Sequence, residues 1–229
     1  MSLAYRESGD PTGKPVVLLH GGASGLSTWD RLTPELTAAG HRVIAADLRG
    51  HGRSPRADRY PLVDYRNDVQ ALVDDLRVGE FALVGHSLGA YVATLVAQAE
   101  PGRVRRLVLE EPPAPPRGEM GPPALSRLRM LLLGLSGVAR RRPYDPKAVT
   151  SAIQQLRRPD PGWWDALELV TAPTLVLSGG PASHLPPERT ADIATALPHA
   201  DLNTVGAGHR IHSTRPDEFA ALVVAFLAE

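Results

Sequence analysis

Five short apolar runs set the strongest limit on how this chain can fold: VVLLH (16–20), HRVIAAD (41–47), FALVGH (81–86), RLVLEE (106–111) and PTLVLSG (173–179). Each is nearly continuous in apolar residues rather than alternating. Such runs suit strands buried on both faces, as in a parallel sheet covered by helices. A weaker run, ADLNTVG (200–206), follows them. Helix-like segments stand between the runs. TWDRLTPELTAAG ends on Gly40, a fitting residue just past a helix. LVDYRNDVQALVDDL (62–76) places apolar residues at helical spacing, and SLGAYVATLVAQAE stops before Pro101. DEFAALVVAFLAE forms a last helical segment. Strands alternating with helices predict an α/β fold with a doubly wound, mostly parallel sheet.

A length of 229 residues suits a single domain over 1–229. One stretch breaks the alternation. EPPAPPRGEMGPP (111–123) is dense in proline and glycine, and LSRLRMLLLGLSGVARR, KAVTSAIQQLRR and PDPGWWDALELV follow without a strand. These predict a small helical cap over 113–165, inserted between two strands; the alternative is a crossover connection with extra helix. The run Arg140, Arg141 and Arg142 reads as a solvated helix end. Trp163 and Trp164 either line an acyl pocket or pack the cap on the sheet, the second being favoured, and Trp29 is expected in the core.

Apolar residues make up 43% of the chain, enough for a large core. Lys and Arg number 25 and Asp and Glu 25, so the formal net charge is zero and nucleic acid is not an expected partner. No apolar run approaches the ~20 residues that span a bilayer, so no membrane partner is expected either. The segment MSLAYRESGD lacks the basic and apolar regions of a secretory signal. With no cysteine there is no disulfide, thiol nucleophile or thiolate metal site, which fits a cytoplasmic protein.

Chemistry concentrates in LVGHSLGAYVATLVA (83–97). GHSLG matches G-x-S-x-G, the turn in which a strand delivers a serine to the start of a helix. Small residues two positions either side allow the tight approach, and the helix N-terminus favours developing negative charge. Ser87 is the expected nucleophile. HGG (20–22) follows the first apolar run, and the N–H groups of Gly22 and Leu88 are the expected oxyanion hole. GAGH (206–209) lies between the last strand and the last helix, so His209 is the expected base. His212 is a second candidate ranked below it. His20, His51 and His86 are expected to orient turns or to pack.

The order of HGG, DLRGHGRS (47–54), GHSLGA and GAGH resembles the α/β-hydrolase superfamily over nearly the whole chain. DLRGHGRS is similar to a loop of its lipase, esterase and haloperoxidase-like branch, where Asp47 and Arg49 are expected to hold the loop together. The resemblance implies an acid after the strand that follows the cap. Here that stretch is SGGPASHLPPE (178–188), with Ala182 where aspartate is expected and Glu188 at the start of the next helix. Some members carry the acid at the end of the strand before the cap instead. This chain has Glu110 and Glu111 there, and the resemblance favours Glu111 with Glu110 as the alternative. Neighbours on a strand face opposite ways, so one of the two is expected to serve; the alternative is a dyad without an acid.

The expected function is a serine hydrolase that cleaves a small carboxylic ester or lactone by acyl transfer through Ser87, His209 and Glu111. The expected partner is a small-molecule acyl substrate; no metal and no organic cofactor is called for. Serine rather than aspartate at the elbow disfavours epoxide hydrolase and haloalkane dehalogenase chemistry. Two alternatives stand beside the hydrolase: a ligand-binding or receptor-like protein that has lost turnover, motivated by the missing acid, and a lyase or transferase using the same site.

Overall fold

The computed structural model describes residues 2–119 and 143–228. Its centre is a seven-stranded sheet in the order β1-β3-β2-β4-β5-β6-β7. The strands are β1 (Tyr5–Ser8), β2 (Lys14–Leu19), β3 (His41–Ala46), β4 (Phe81–His86), β5 (Val104–Glu110), β6 (Thr174–Ser178) and β7 (Ala200–Thr204). β1 pairs antiparallel with β3, and every other pairing is parallel. The expected doubly wound, mostly parallel sheet is therefore the fold observed.

Continuous apolar runs serve both faces of this sheet. On β2, Val17 and Leu19 belong to one buried cluster and Val16 and Leu18 to the other. On β5, Leu107 and Leu109 face the first while Val108 faces the second. The first cluster is covered by helices α2 (Leu62–Asp75) and α3 (Leu88–Ala99). The second is covered by α1 (Leu32–Ala38) and by the last helix, Pro216–Ala228. Each fully buried leucine contributes about 2 kcal/mol of transfer free energy, so two dry faces outweigh any single polar contact.

Between β5 and β6 the described residues hold helices and no strand. These are α4 (Pro146–Leu156) and α5 (Pro161–Asp165), followed by a 3₁₀ turn at Ala166–Leu169. α4 buries Ala148 and Ala152 and is tied to the segment before α2. Tyr60 Oη donates to Asp145 Oδ2 at 2.8 Å, and Gln155 Nε2 donates to the Tyr60 carbonyl at 2.8 Å. α5 packs through its tryptophans: Trp163 stacks on Tyr91 of α3 with ring centres 5.4 Å apart. Trp164 Nε1–H donates to the Pro115 carbonyl at 2.9 Å. The helix expected over LSRLRMLLLGLSGVARR and the arginine run at 140–142 lie outside the described residues.

Two local readings differ from expectation. β1 carries no apolar run, because an antiparallel edge strand buries little; its residues alternate between exposed and half-buried. The helix expected from Thr28 is instead a 3₁₀ turn (Leu26–Trp29) followed by α1. Pro34 explains the break: it sits in the first turn of α1, where its missing N–H costs nothing, while an upstream extension would set its ring against a carbonyl. α6 (Pro187–Ala196), α7 (Ile211–Thr214) and α8 (Pro216–Ala228) complete the chain. Among the described residues no helix is long and apolar enough to cross a membrane.

Candidate active site

In an open parallel sheet, the loops that leave the carboxyl ends of neighbouring strands meet in one crevice. Here β4 ends at His86, α3 begins at Leu88, and Ser87 alone makes the turn. Its backbone is left-handed, with φ 50° and ψ −116°. That conformation is costly for a side chain and survives because the surroundings enforce it. A Cβ on Gly85 would lie 2.4 Å from the Gly89 carbonyl, and one on Gly89 would lie 2.2 Å from the Leu19 carbonyl. Only hydrogen at both positions lets α3 close on β4 and β2. The serine hydroxyl is then lifted clear of the sheet while Leu88 N–H opens the helix.

The HGG turn runs against this elbow. A Cβ on Gly21 would stand 3.3 Å from the Ser87 Cβ. His20 braces the turn: its Nε2 accepts from Leu48 N–H at 3.0 Å, so Nδ1 carries the proton and donates to the Gly21 carbonyl at 2.7 Å. Burial, with His51 nearby, lowers the His20 pKa to about 3, and the ring stays neutral. His51 in turn accepts from Ala23 N–H at 3.3 Å. Gly22 thus lies in a turn held by two histidines, consistent with the orienting role expected of them. Asp47 accepts from Leu26 N–H at 2.7 Å and Arg53 N–H at 3.0 Å, and Arg49 donates to Asp68 at 2.6 Å and Asp64 at 2.7 Å. These two residues hold their loop together.

His209 lies on the loop between β7 and α7. Its Nε2 is 3.1 Å from Ser87 Oγ and its Nδ1 is 3.0 Å from Glu111 Oε2. A carboxylate has no proton to give, so Nδ1 donates and the neutral ring leaves Nε2 free to accept from the serine hydroxyl. The structure therefore brings together Ser87, His209 and Glu111 in one hydrogen-bonded line.

Glu111 reaches this position because the chain turns sharply past β5. Its φ is 50°, and its own N–H still donates to the Leu177 carbonyl at 2.8 Å. The side chain passes over the end of β6, where Oε1 accepts from Gly179 N–H at 2.5 Å and Oε2 accepts from Ser183 Oγ–H. Burial pushes the Glu111 carboxyl up, but the hydrogen bonds from His209, Ser183 and Gly179 outweigh it and hold the group below the usual carboxylate range. SGGPASHLPPE, the stretch that lacks the expected acid, thus supplies two donors to the acid that lies elsewhere.

The neighbouring Glu110 does not reach His209. It accepts from the backbone N–H of His212 at 2.9 Å and from His212 Nδ1 at 2.7 Å. His212 is thereby committed, with its Nε2 2.7 Å from Thr28 Oγ1. Glu188 stands in the first turn of α6, and Ala182 lies in a short 3₁₀ turn beside Gly208. Among the described residues one cluster could offer metal ligands, His86, Glu110 and His212. Glu110 and His212 already bond each other, and His86 Nε2 donates to the His209 carbonyl.

Sequence reasoning did not single out Gly179, Ser183 or His184. The His184 ring centre lies 4.0 Å from that of His209. Ser183 and His184 sit one and two places past the vacant acid position, which was the one available hint.

Ser87 at a strand-to-helix turn, with His209 and Glu111 gathered over the carboxyl edge of a mostly parallel sheet, fits the hydrolase class built on this fold. The chain belongs to the alpha/beta hydrolase fold family, whose model matches residues 14–135. It is 28% identical over 264 aligned residues to mouse (Mus musculus) sn-1-specific diacylglycerol lipase ABHD11, covering 96% of this chain and 83% of that protein. Over 128 residues it is 38% identical to the non-heme chloroperoxidase of Streptomyces lividans, covering 54% of this chain but only 46% of that protein's length. Among solved structures it is similar to Est816, an N-acyl homoserine lactone degrading enzyme, with TM-score 0.82, 26% identity and coverage of 98% of this chain and 96% of that one. The family, the diacylglycerol lipase and the lactone-degrading enzyme support a hydrolase.

Proposed function

We propose that the protein is a serine hydrolase that cleaves a small carboxylic ester or lactone by acyl transfer. The observation that carries the reading is the line Ser87–His209–Glu111, with contacts of 3.1 and 3.0 Å. Ser87 Oγ attacks the carbonyl carbon while His209 Nε2 takes its proton. Glu111 holds the ring in the required tautomer and stabilises the imidazolium that forms. The N–H groups of Gly22 and Leu88 receive the oxyanion. The tetrahedral intermediate collapses as His209 returns its proton to the leaving oxygen. Water, activated by the same histidine, then attacks the acyl-enzyme and releases the acid. In a lactone the leaving alcohol remains tethered to the acyl group.

The substrate class draws support from two of the relatives. A diacylglycerol and an N-acyl homoserine lactone are both carboxylic esters. The reading of a ligand-binding protein rests on the missing acid near Ala182, and the contact between Glu111 and His209 supports the hydrolase over it.

The test is covalent labelling with a fluorophosphonate probe, together with turnover of p-nitrophenyl acetate. Wild type should label and turn over the ester, and Ser87→Ala should do neither. Absence of labelling in the folded wild type would overturn the hydrolase and favour the binding protein. A panel of small esters, lactones and thioesters would then rank the acyl and leaving groups.

A further inference from the structure

The second acid at the end of β5 builds an arrangement of its own. Glu110 is fully buried. Because its carboxylate can only accept, His212 Nδ1 is the donor at 2.7 Å. The other nitrogen of His212, Nε2, lies 2.7 Å from Thr28 Oγ1. Thr28, His212 and Glu110 repeat the order hydroxyl, imidazole, carboxylate beside Ser87, His209 and Glu111. Burial raises the Glu110 carboxyl, but the nearby His86 and the bonds from His212 outweigh it and keep the group ionised.

This set is physically joined to His209. His86 Nε2–H donates to the His209 carbonyl at 2.8 Å, and the His86 ring lies between those of His209 and His212, with centres 4.9 and 4.8 Å apart. Glu110 also takes the backbone N–H of His212 at 2.9 Å, within α7, the helix that follows the His209 loop directly. His209 is therefore gripped by its ring through Glu111, by its carbonyl through His86, and by the next turn of chain through Glu110. A metal site is the other reading of His86, Glu110 and His212. It is disfavoured because His212 Nδ1 and His86 Nε2 present protons to their acceptors rather than lone pairs to an ion.

We propose that Thr28, His212 and Glu110 form a positioning relay that fixes His209 over Ser87. The relay deepens the hydrolase reading and rests on it. None of the three residues touches the reacting atoms. Their effect is geometric: a general base displaced by ~1 Å loses about 100-fold in rate.

The test compares Glu110→Gln, His212→Leu and His212→Asn with wild type, using p-nitrophenyl acetate and the low-field proton resonance of His209 Nδ1–H. Glu110→Gln and His212→Leu should lower kcat about 10- to 100-fold with little change in KM, because a loosened base affects the chemical step more than binding. Both should weaken or broaden the low-field resonance. His212→Asn restores a donor to Glu110 and should recover most of both signals, which a general packing role would not predict. Unchanged kcat and resonance in Glu110→Gln and His212→Leu would overturn the proposal, as would His212→Asn performing no better than His212→Leu. If the first two do not fold, Thr28→Val decides: about a threefold or greater loss of kcat with a perturbed resonance supports the relay, and wild-type values overturn it. The resonance needs no turnover. An inactive wild type with an intact, relay-dependent resonance would sink the hydrolase and leave the relay standing.

Discussion

At Glu111 two opposing effects meet, and their balance can be measured. Burial alone would protonate a carboxyl with no exposed surface; three donors keep it charged. Glu111→Gln keeps the shape but removes the charge that holds His209 in its working tautomer. It should lower kcat by up to about 10,000-fold, the loss that follows when a triad acid is neutralised. Steady-state kinetics on p-nitrophenyl acetate checks this, and Glu110→Gln should cost less. The same variant carries a stability signature. A folded pKa held below the ordinary 4.5 contributes stability that is fully present above that value and is lost as pH falls through the lower folded value. The stability gap between wild type and Glu111→Gln should therefore hold above about pH 5 and close below it, as read by urea melts across that window. Glu110 is common to both proteins and drops out of the difference. The sequence could show that position 182 lacks an acid and that two candidates end β5. It could not show that Ser183 and Gly179 would turn toward one of them, because those donors meet Glu111 only when β5 and β6 lie side by side.

The elbow shows how much one element junction owes to the absence of atoms. With Leu19 O only 2.2 Å from a hypothetical Cβ on Gly89, α3 can lie on β2 only while that residue stays bare. Gly89→Ala must push helix from strand, and it should cost about 1–3 kcal/mol by overpacking, or more because the obstacle is backbone. Denaturant unfolding gives the cost. The rate of fluorophosphonate labelling should fall further than stability predicts, since the shift moves Ser87 itself. This junction was legible in the sequence because its parts are local: an apolar run, paired glycines, a helical stretch. β1 was not legible, since an edge strand gains its identity from pairing with β3, and nothing in YRES announces a partner far along the chain. The second relay was hidden for the same reason. His212 could be ranked below His209 from its spacing, but its bond to Glu110 spans 102 residues.

At the scale of the whole molecule, the sheet separates two buried clusters, and chemistry sits on its rim. Leu18 belongs to the cluster under α1 and α8 and is fully buried. Leu18→Ala should cost about 2–5 kcal/mol through lost transfer energy and the cavity left behind. Denaturant unfolding of the variant beside wild type measures that cost. The doubly wound sheet was readable because each buried strand must be apolar on both sides. The segment between β5 and β6 was readable only as a gap in that rhythm.

The order in which the reactive groups occur along the chain has a consequence for synthesis. The turn at Gly22, then Ser87, then Glu111 emerge from the ribosome first, on strands that neighbour one another in the sheet. His209 comes last, after β7 has closed the far edge. A nascent chain halted before that edge carries Ser87 without His209. On the proposed chemistry, activity arrives late in translation, after the strands that must bear it have been made.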